Sequence, residues 1–267
     1  MNDTPYVELT NLQVGLAALL IVVNGLISLT LRLGMERTLA IAGVRTIVQL
    51  TLIGMVLEWV FRVEHLIVVL ALLCVMTLVA AITATQRTRR RYPGLWWDTI
   101  VSIWASSWLV TAFVLFAVVQ DTDKWWQPQY AIPLLGMVLG NTLNGISLGQ
   151  NALTEALIAQ RDQLETLLAL GATRWEAARG PIQQAVRTGT IPIINSMMVV
   201  GLVSLPGMMT GQILAGAEPI EAVKYQIVIM FLIASGTALG TVGVVLLGFR
   251  RLFNSDHQFR YSRLTTR

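Results

Sequence analysis

Charge is scarce in this chain. Only 13% of its 267 residues are Asp, Glu, Lys or Arg, against about 25% in a typical soluble domain. Cysteine occurs once, and histidine and lysine occur twice each. The lone Cys74, inside an apolar run, excludes an intrachain disulfide and any thiolate cluster. His65 and His257 share no ligand spacing, and no carboxylate cluster accompanies either, so no tight transition-metal site can be read within one copy. Lys124 and Lys224 do not follow glycine, so the chain lacks the Gly-Lys-Ser/Thr loop that cradles nucleotide phosphates. No carboxylates sit in mid-run to relay protons for a stand-alone secondary transporter, and no His, Cys or carboxylate pair supplies an enzyme's catalytic constellation.

What the chain has instead is apolar length. Hydrophobic residues make up 55% of it and the mean hydropathy is +0.65. A spanning helix needs roughly 20 mostly apolar residues. Seven runs meet that length: Leu12–Leu31, Leu39–Val60, Leu66–Ala84, Thr99–Val119, Ala131–Gln150, Ile191–Leu214 and Val223–Gly248. One soluble core does not accommodate seven such runs. The leading "MNDTPYVE" carries acid where a secretory leader carries base, and no small-residue cleavage site follows the first run, which therefore reads as a span. The expectation is an all-α, polytopic membrane protein with about seven spans. It forms a single transmembrane domain over residues 1–267, with its longest connection at about 151–190.

The basic residues predict orientation. With the N-terminus outside, fifteen arginines fall in inside segments and only Arg62, Lys124 and Lys224 fall outside. The positive-inside rule then favours N-out, C-in. Trp96 and Trp97 would mark one interface, and Trp125, Trp126 and Tyr130 the other. The dense basic run "TQRTRRRYPG" sits directly beside the third span. It reads as a topology anchor touching anionic lipid, with no nucleic-acid partner implied.

The stretch "LETLLALGATRWEAARG", Leu164 to Gly180, is charged and rich in helix formers in a chain otherwise built of apolar blocks. Leu153, Leu157, Leu164, Leu167 and Leu168 recur at helix-face spacing, so the fifth span is expected to continue as a helix. Gly171 should break it. Thr173 and Glu176, three apart, should form a capping box for a second short helix, ended by Gly180-Pro181. The result is a protruding knob of helix, turn and crossing helix, with an apolar face suited to a groove on another protein.

"ETLLALGATRWEAARGP" resembles the cytoplasmic coupling loop of ABC-transporter permeases, although such turns also occur in ordinary helical hairpins. Thr166-Leu167 stands where that family has small residues, and the later Leu-Pro pair is missing. Taken with "RTIVQLTLIG", "GNTLNGISLG" and above all "SLPGMMTGQILAG", the chain resembles the FetB-type iron-export ABC permeases, which are related to plant aluminium-sensitivity proteins. The resemblance implies a bacterial inner-membrane homodimer working with a separate ABC ATPase subunit, which would carry the ATP and magnesium. No cofactor is implied for this subunit. It further implies iron efflux and peroxide resistance, and it makes Glu165, Leu170, Gly171, Ala172, Thr173, Trp175 and Glu176 the coupling residues. Another metal or small solute as cargo stays open, as does a stand-alone secondary transporter.

The residues also suggest a candidate path. Pro206-Gly207 should interrupt the sixth span, and non-helical backbone at membrane depth is tolerated where protein or a water-filled cavity covers it. Met208, Met209 and Gln212 follow. They read either as packing fillers or as the lining of a passage. Arg45 and Gln49 lie one turn apart in the second span, and Asn141 and Asn144 lie in the fifth. Interhelical packing is the competing role for these polar groups, as it is for the glycine pairs Gly136/Gly140, Gly145/Gly149 and Gly236/Gly240.

Overall fold

The computed structural model describes residues 10–63, 65–118, 126–254 and 256–266. Glu64, Asp121, Asp123, Lys124, Trp125 and Arg267 lie outside the described residues. The chain is all-α apart from a ribbon of two residues on each side, and it divides into two compact units. One unit comprises residues up to His65 with Leu214–Gly216, and the other comprises Leu66–Ile213 with Ala217–Arg267.

The first unit is a helical hairpin. α1 (Asn11–Thr30) starts at a Thr10–Gln13 capping box, and α2 (Glu36–Val63) follows after five residues. Ser28 fastens the turn. Its hydroxyl donates to Glu36 Oε2 at 3.0 Å and accepts the Met35 N–H at 3.0 Å. Gly34 supplies a positive φ of 69°.

The second unit runs α3 (Leu66–Arg87), β1 (Arg90–Arg91), α4 (Leu95–Phe113, extended by a π-helical turn to Val118), α5 (Pro128–Ala159), α6 (Arg161–Ala169), α7 (Arg174–Val199), α8 (Gly207–Leu214), α9 (Pro219–Leu252) and β2 (Thr265–Thr266). Prolines at the first positions of α5 and α9 need no hydrogen-bond partner there and preset the helical φ. β1 pairs antiparallel with β2, which returns the C-terminal tail to the connection between α3 and α4.

Six helices among the described residues are long and apolar enough to cross a membrane: Leu12–Thr30, Glu36–Val63, Leu66–Arg87, Leu95–Phe116, Pro128–Ala159 and Pro219–Leu252. They coincide with six of the seven expected runs. The remaining run, Ile191–Leu214, is not one helix. α7 stops at Val199, the chain turns through residues 200–206, and α8 begins at Gly207. The break comes earlier than Pro206-Gly207 alone predicts because Gly201 adopts a φ of +83° and donates its N–H to Ser204 O at 2.9 Å. Pro206 then restricts Leu205 to extended backbone.

A second expectation is corrected at Gly180-Pro181. The helix does not end there but runs unbroken through Pro181 and Pro192. Proline in a helix interior costs about 3 kcal/mol, and packing offsets it. Ala178, Pro181, Ile182, Ala185, Gly189 and Ile193 form one buried face of α7 at spacings of three and four.

That face explains the core. A Cβ on Gly189 would lie 2.6 Å from the Gly145 carbonyl oxygen and 2.5 Å from Thr241 Cγ2, so α5, α7 and α9 meet at backbone distance. Gly149 closes on Thr241, and Gly236 and Gly240 on Val138 and Thr142. These are the close contacts that small-xxx-small spacing predicts. Gly140 departs from the pattern, since nothing lies within 4 Å of its Cβ direction.

One end of this core is fastened by charge. Arg251 Nε, near the end of α9, donates to both carboxylate oxygens of Asp98 at 2.7 Å. The Asp98 side chain is 3% exposed and that of Arg251 is 42% exposed. Gly94, with φ +93°, lets the guanidinium pass where any Cβ would collide with it. Burial, and next the adjacent Asp98 carboxylate, pushes the Tyr92 phenol far above its ordinary range, so it stays protonated. Gln150 completes the layer, accepting from Thr88 and donating to Thr99, each at 3.0 Å.

Two stability predictions follow, both read by thermal unfolding in detergent. Arg251→Ala strands a buried carboxylate and should cost about 1–3 kcal/mol, discounted for the exposed arginine. Arg251→Lys should cost less, and equal melting temperatures for wild type and Arg251→Ala would refute the role. Gly189→Ala should cost about 1–3 kcal/mol by overpacking. Gly140→Ala, into open space, should be neutral or stabilising by up to about 1 kcal/mol; the reverse order would refute the crossing.

Candidate functional site

The expected knob is present in outline. α5 ends at Ala159, α6 follows almost directly, and Leu153, Leu157 and Leu164 are buried as their spacing requires. α6 closes in a Schellman motif. Ala172 N–H donates to Leu167 O at 3.0 Å, Gly171 N–H donates to Leu168 O at 3.1 Å, and Gly171 takes φ +93°. Two residues later α7 opens on the predicted capping box. Thr173 N–H donates to Glu176 Oε2 at 2.8 Å, and Glu176 N–H returns to Thr173 Oγ1 at 3.3 Å. The bonds from the Thr173 backbone and hydroxyl hold the exposed Glu176 carboxyl below the ordinary glutamate range.

The other coupling candidates surround this turn. Leu170 is 80% exposed at its tip, and Ala172 is half-buried. Glu165 is paired with Arg161 at 2.7 Å, one turn apart on α6. Trp175 is half-exposed with its ring edge on Phe249, centroids 5.7 Å apart. Further along the same face of α7, Trp175, Arg179, Ile182, Gln183, Val186 and Arg187 line an open groove of about 660 Å³. Its chemistry is mixed: an indole and aliphatic floor with two arginines on the rim.

Sequence reasoning missed what supports the turn from behind. Asn254 and residues 256–261 lie against it. Arg174 N–H, at the first position of α7, donates to His257 Nδ1 at 3.0 Å, and Arg174 Nη1 donates to Asn254 O at 3.1 Å. A chain of aromatic contacts runs from Trp175 through Phe249, Phe253 and Phe259 to Tyr261, and Arg161 stacks over the Tyr261 ring at 4.6 Å. The aromatic spacing in "RLFNSDHQFRY" was the only available signal, and its partner cannot be read from one strand of sequence.

The candidate path residues do not form one site. Arg45 and Gln49 are exposed on α2, in the first unit. Asn141 donates to Met137 O at 2.9 Å within its own helix. Asn144 accepts from Arg87, joining α5 to the end of α3. Pro206 stands at the entry to α8. Met208 and Met209 are sequence neighbours, yet they line different cavities. Met208 faces one of about 200 Å³ with Gln129, Tyr130, Lys224 and Tyr225. Met209 faces one of about 400 Å³ against α9. Gln212 is half-buried with its Oε1 sealed and unpartnered. Among the described residues no group of three or more His, Cys, Asp or Glu side chains could hold a metal ion.

Comparison with known proteins follows the same outline. Residues 11–253 match the family described as Uncharacterised protein family (UPF0014). The UPF0014 membrane protein slr1647 of Synechocystis is 42% identical over 217 residues, covering 81% of this chain and 83% of that protein. The probable iron export permease protein FetB of Escherichia coli is 32% identical over 257 residues, 96% of this chain and 97% of its own. Protein ALUMINUM SENSITIVE 3 of Arabidopsis thaliana is 31% identical over 245 residues, 91% and 88% of the two chains. No solved structure matches at a significant level. Near full-length agreement with several relatives, on a fold of stacked apolar helices, makes this chain a member of the UPF0014 membrane protein family.

Proposed function

We propose that the chain is the membrane-spanning permease subunit of an ABC transporter that exports iron from the cytoplasm. Two copies sit in a bacterial inner membrane, N-out and C-in, with a separate ATPase docked on the turn between α6 and α7. The observation that carries the reading is mechanical. The turn is closed by a Schellman motif on one side and a capping box on the other, and α7 continues from it without interruption for 26 residues, about 39 Å. Its buried face locks to α5 and α9 at Gly189, and its far end is the break at residues 200–206. A push on the turn is therefore delivered to the broken backbone as a rigid-body movement.

The cargo rests on kinship. The Escherichia coli relative is named a probable iron export permease. The ATPase bears on the exposed Leu170 and the groove beside Trp175, where apolar area supplies affinity and Arg179 and Arg187 select an acidic rim. The basic residues beside the third span and in the tail support a cytosolic position for this face.

Copurification in mild detergent tests docking. Tagged wild type should recover a P-loop ATPase. Leu170→Asp should reduce recovery at least tenfold without changing membrane insertion, and Gly171→Pro should abolish it. Full recovery with both variants would overturn docking at this turn. Because Glu176 is held below its ordinary range, its cap is complete at neutral pH and is lost only as pH falls through that lowered value. Lowering the pH from about 8 to about 7 should therefore leave recovery unchanged, and Thr173→Ala should weaken the cap by about 1 kcal/mol. In liposomes holding both subunits, ATP hydrolysis should rise with iron; a rise with another solute and none with iron would reject the iron cargo.

A further inference from the structure

One end of the second unit gathers arginines without gathering acids to match them. α3 ends at Arg87 and α4 begins at Leu95, so Arg90 and Arg91 lie in the short junction between two spans. β2 returns the tail to that junction, with Thr266 in register with Arg90 and Thr265 with Arg91, and Thr265 Oγ1 donates to Arg91 O at 3.2 Å. The tail is also tied to the end of α9. Arg260 N–H donates to Leu252 O at 2.8 Å, and Arg263 Nη1 donates to Arg251 O at 3.3 Å. Arg250 stands exposed in the same last turn of α9.

Three segments distant in sequence thus bring Arg90, Arg91, Arg250, Arg260 and Arg263 together. Among the described residues none of these five has a carboxylate at ion-pair distance. Asp98 is taken by Arg251, and Glu155 lies 3.9 Å from Arg89. Like charges in such a cluster oppose the return of the tail, so the offsetting charge must come from outside the chain. Arg250 and Arg263 are exposed and Arg90 is part-exposed, which leaves them open to it.

Depth says what supplies that charge. α3, α4 and α9 are each long and apolar enough to span, and the arginines sit where all three end. Asp98, in the first turn of α4, holds Arg251 at the level where the apolar window of α4 begins. Trp97, 63% exposed in the same turn, is the amphipathic ring expected among lipid headgroups. A phosphodiester at that depth presents two acceptor oxygens to the planar guanidinium fork.

We propose that this end of the second unit binds the phosphate of an anionic glycerophospholipid, and that the lipid clamps the tail onto β1. The basic run beside the third span predicts lipid contact there; the fold makes the site composite, adding α9 and the tail, and gives the lipid a task. The assignment needs only that the spans cross a membrane, in either orientation, and rests neither on iron nor on ATPase docking.

The test compares the full chain in nanodiscs of phosphatidylcholine alone and of equal parts phosphatidylcholine and phosphatidylglycerol. Phosphatidylglycerol should slow hydrogen exchange of the amides of residues 260–266 at least tenfold, and native mass spectrometry should show it retained over phosphatidylcholine. Arg250→Gln, at an exposed residue without an acid partner, should weaken that preference about fivefold. The triple variant Arg90→Gln, Arg250→Gln, Arg263→Gln should lose both effects, whereas the corresponding triple lysine variant, which keeps the charge, should preserve at least half of the slowing. Arg62→Gln, in the first unit, should change neither. Equal tail exchange in the two discs, or wild-type behaviour of the triple glutamine variant, overturns the proposal. So does inorganic phosphate that slows the tail as much in phosphatidylcholine alone, since the ligand would then be a soluble anion. Loss of the lipid effect with normal ATPase recovery would count against this site alone.

Discussion

The backbone crossing of α5 and α7 at Gly145 and Gly189, with Thr241 of α9 wedged against both, is the constraint on which the second unit depends. In lipid there is no hydrophobic gain from bringing two apolar helices together, so association relies on close van der Waals fit. Glycine at both crossing points permits that approach. It also accounts for a helix that tolerates Pro181 and Pro192. Each missing hydrogen bond is offset by a continuous buried face already committed to its neighbours.

A second fastening lies at the end of the bundle that bears Arg87–Arg91. The Asp98–Arg251 pair ties the start of α4 to the end of α9, and Tyr92 and Gln150 fill the space beside it. From that fixed point the tail folds back through Phe253 and Phe259, places His257 on the first N–H of α7, and joins β2 to β1. The turn at Gly171 is thus braced on three sides: by α6, by its own cap and by the tail. The proposed docking role depends on such bracing, because a loop that yields locally transmits nothing.

Spans were legible because hydropathy and length are local properties, and six helices stand where the apolar runs place them. The Gly171 turn was legible for the same reason, since Schellman and capping-box signals lie within six residues of one another. The extent of α7 was not. Pro181 reads as a terminator in one dimension, and only the three-dimensional partner of Ala178, Ile182 and Gly189 overrules it. Nor did the sequence show that Asn144 belongs to Arg87, or that Met208 and Met209 line separate cavities. Those facts depend on which helices are neighbours.

The central claim is that the turn joining α6 to α7 projects into the cytosol, where an ATPase can grip it. The most direct measurement is the labelling of a single cysteine at its tip. Leu170→Cys in a Cys74→Ser background should resist a membrane-impermeant maleimide in intact cells and react fully once the membrane is permeabilised. Full reaction in intact cells would put the turn on the far side of the membrane and contradict the account.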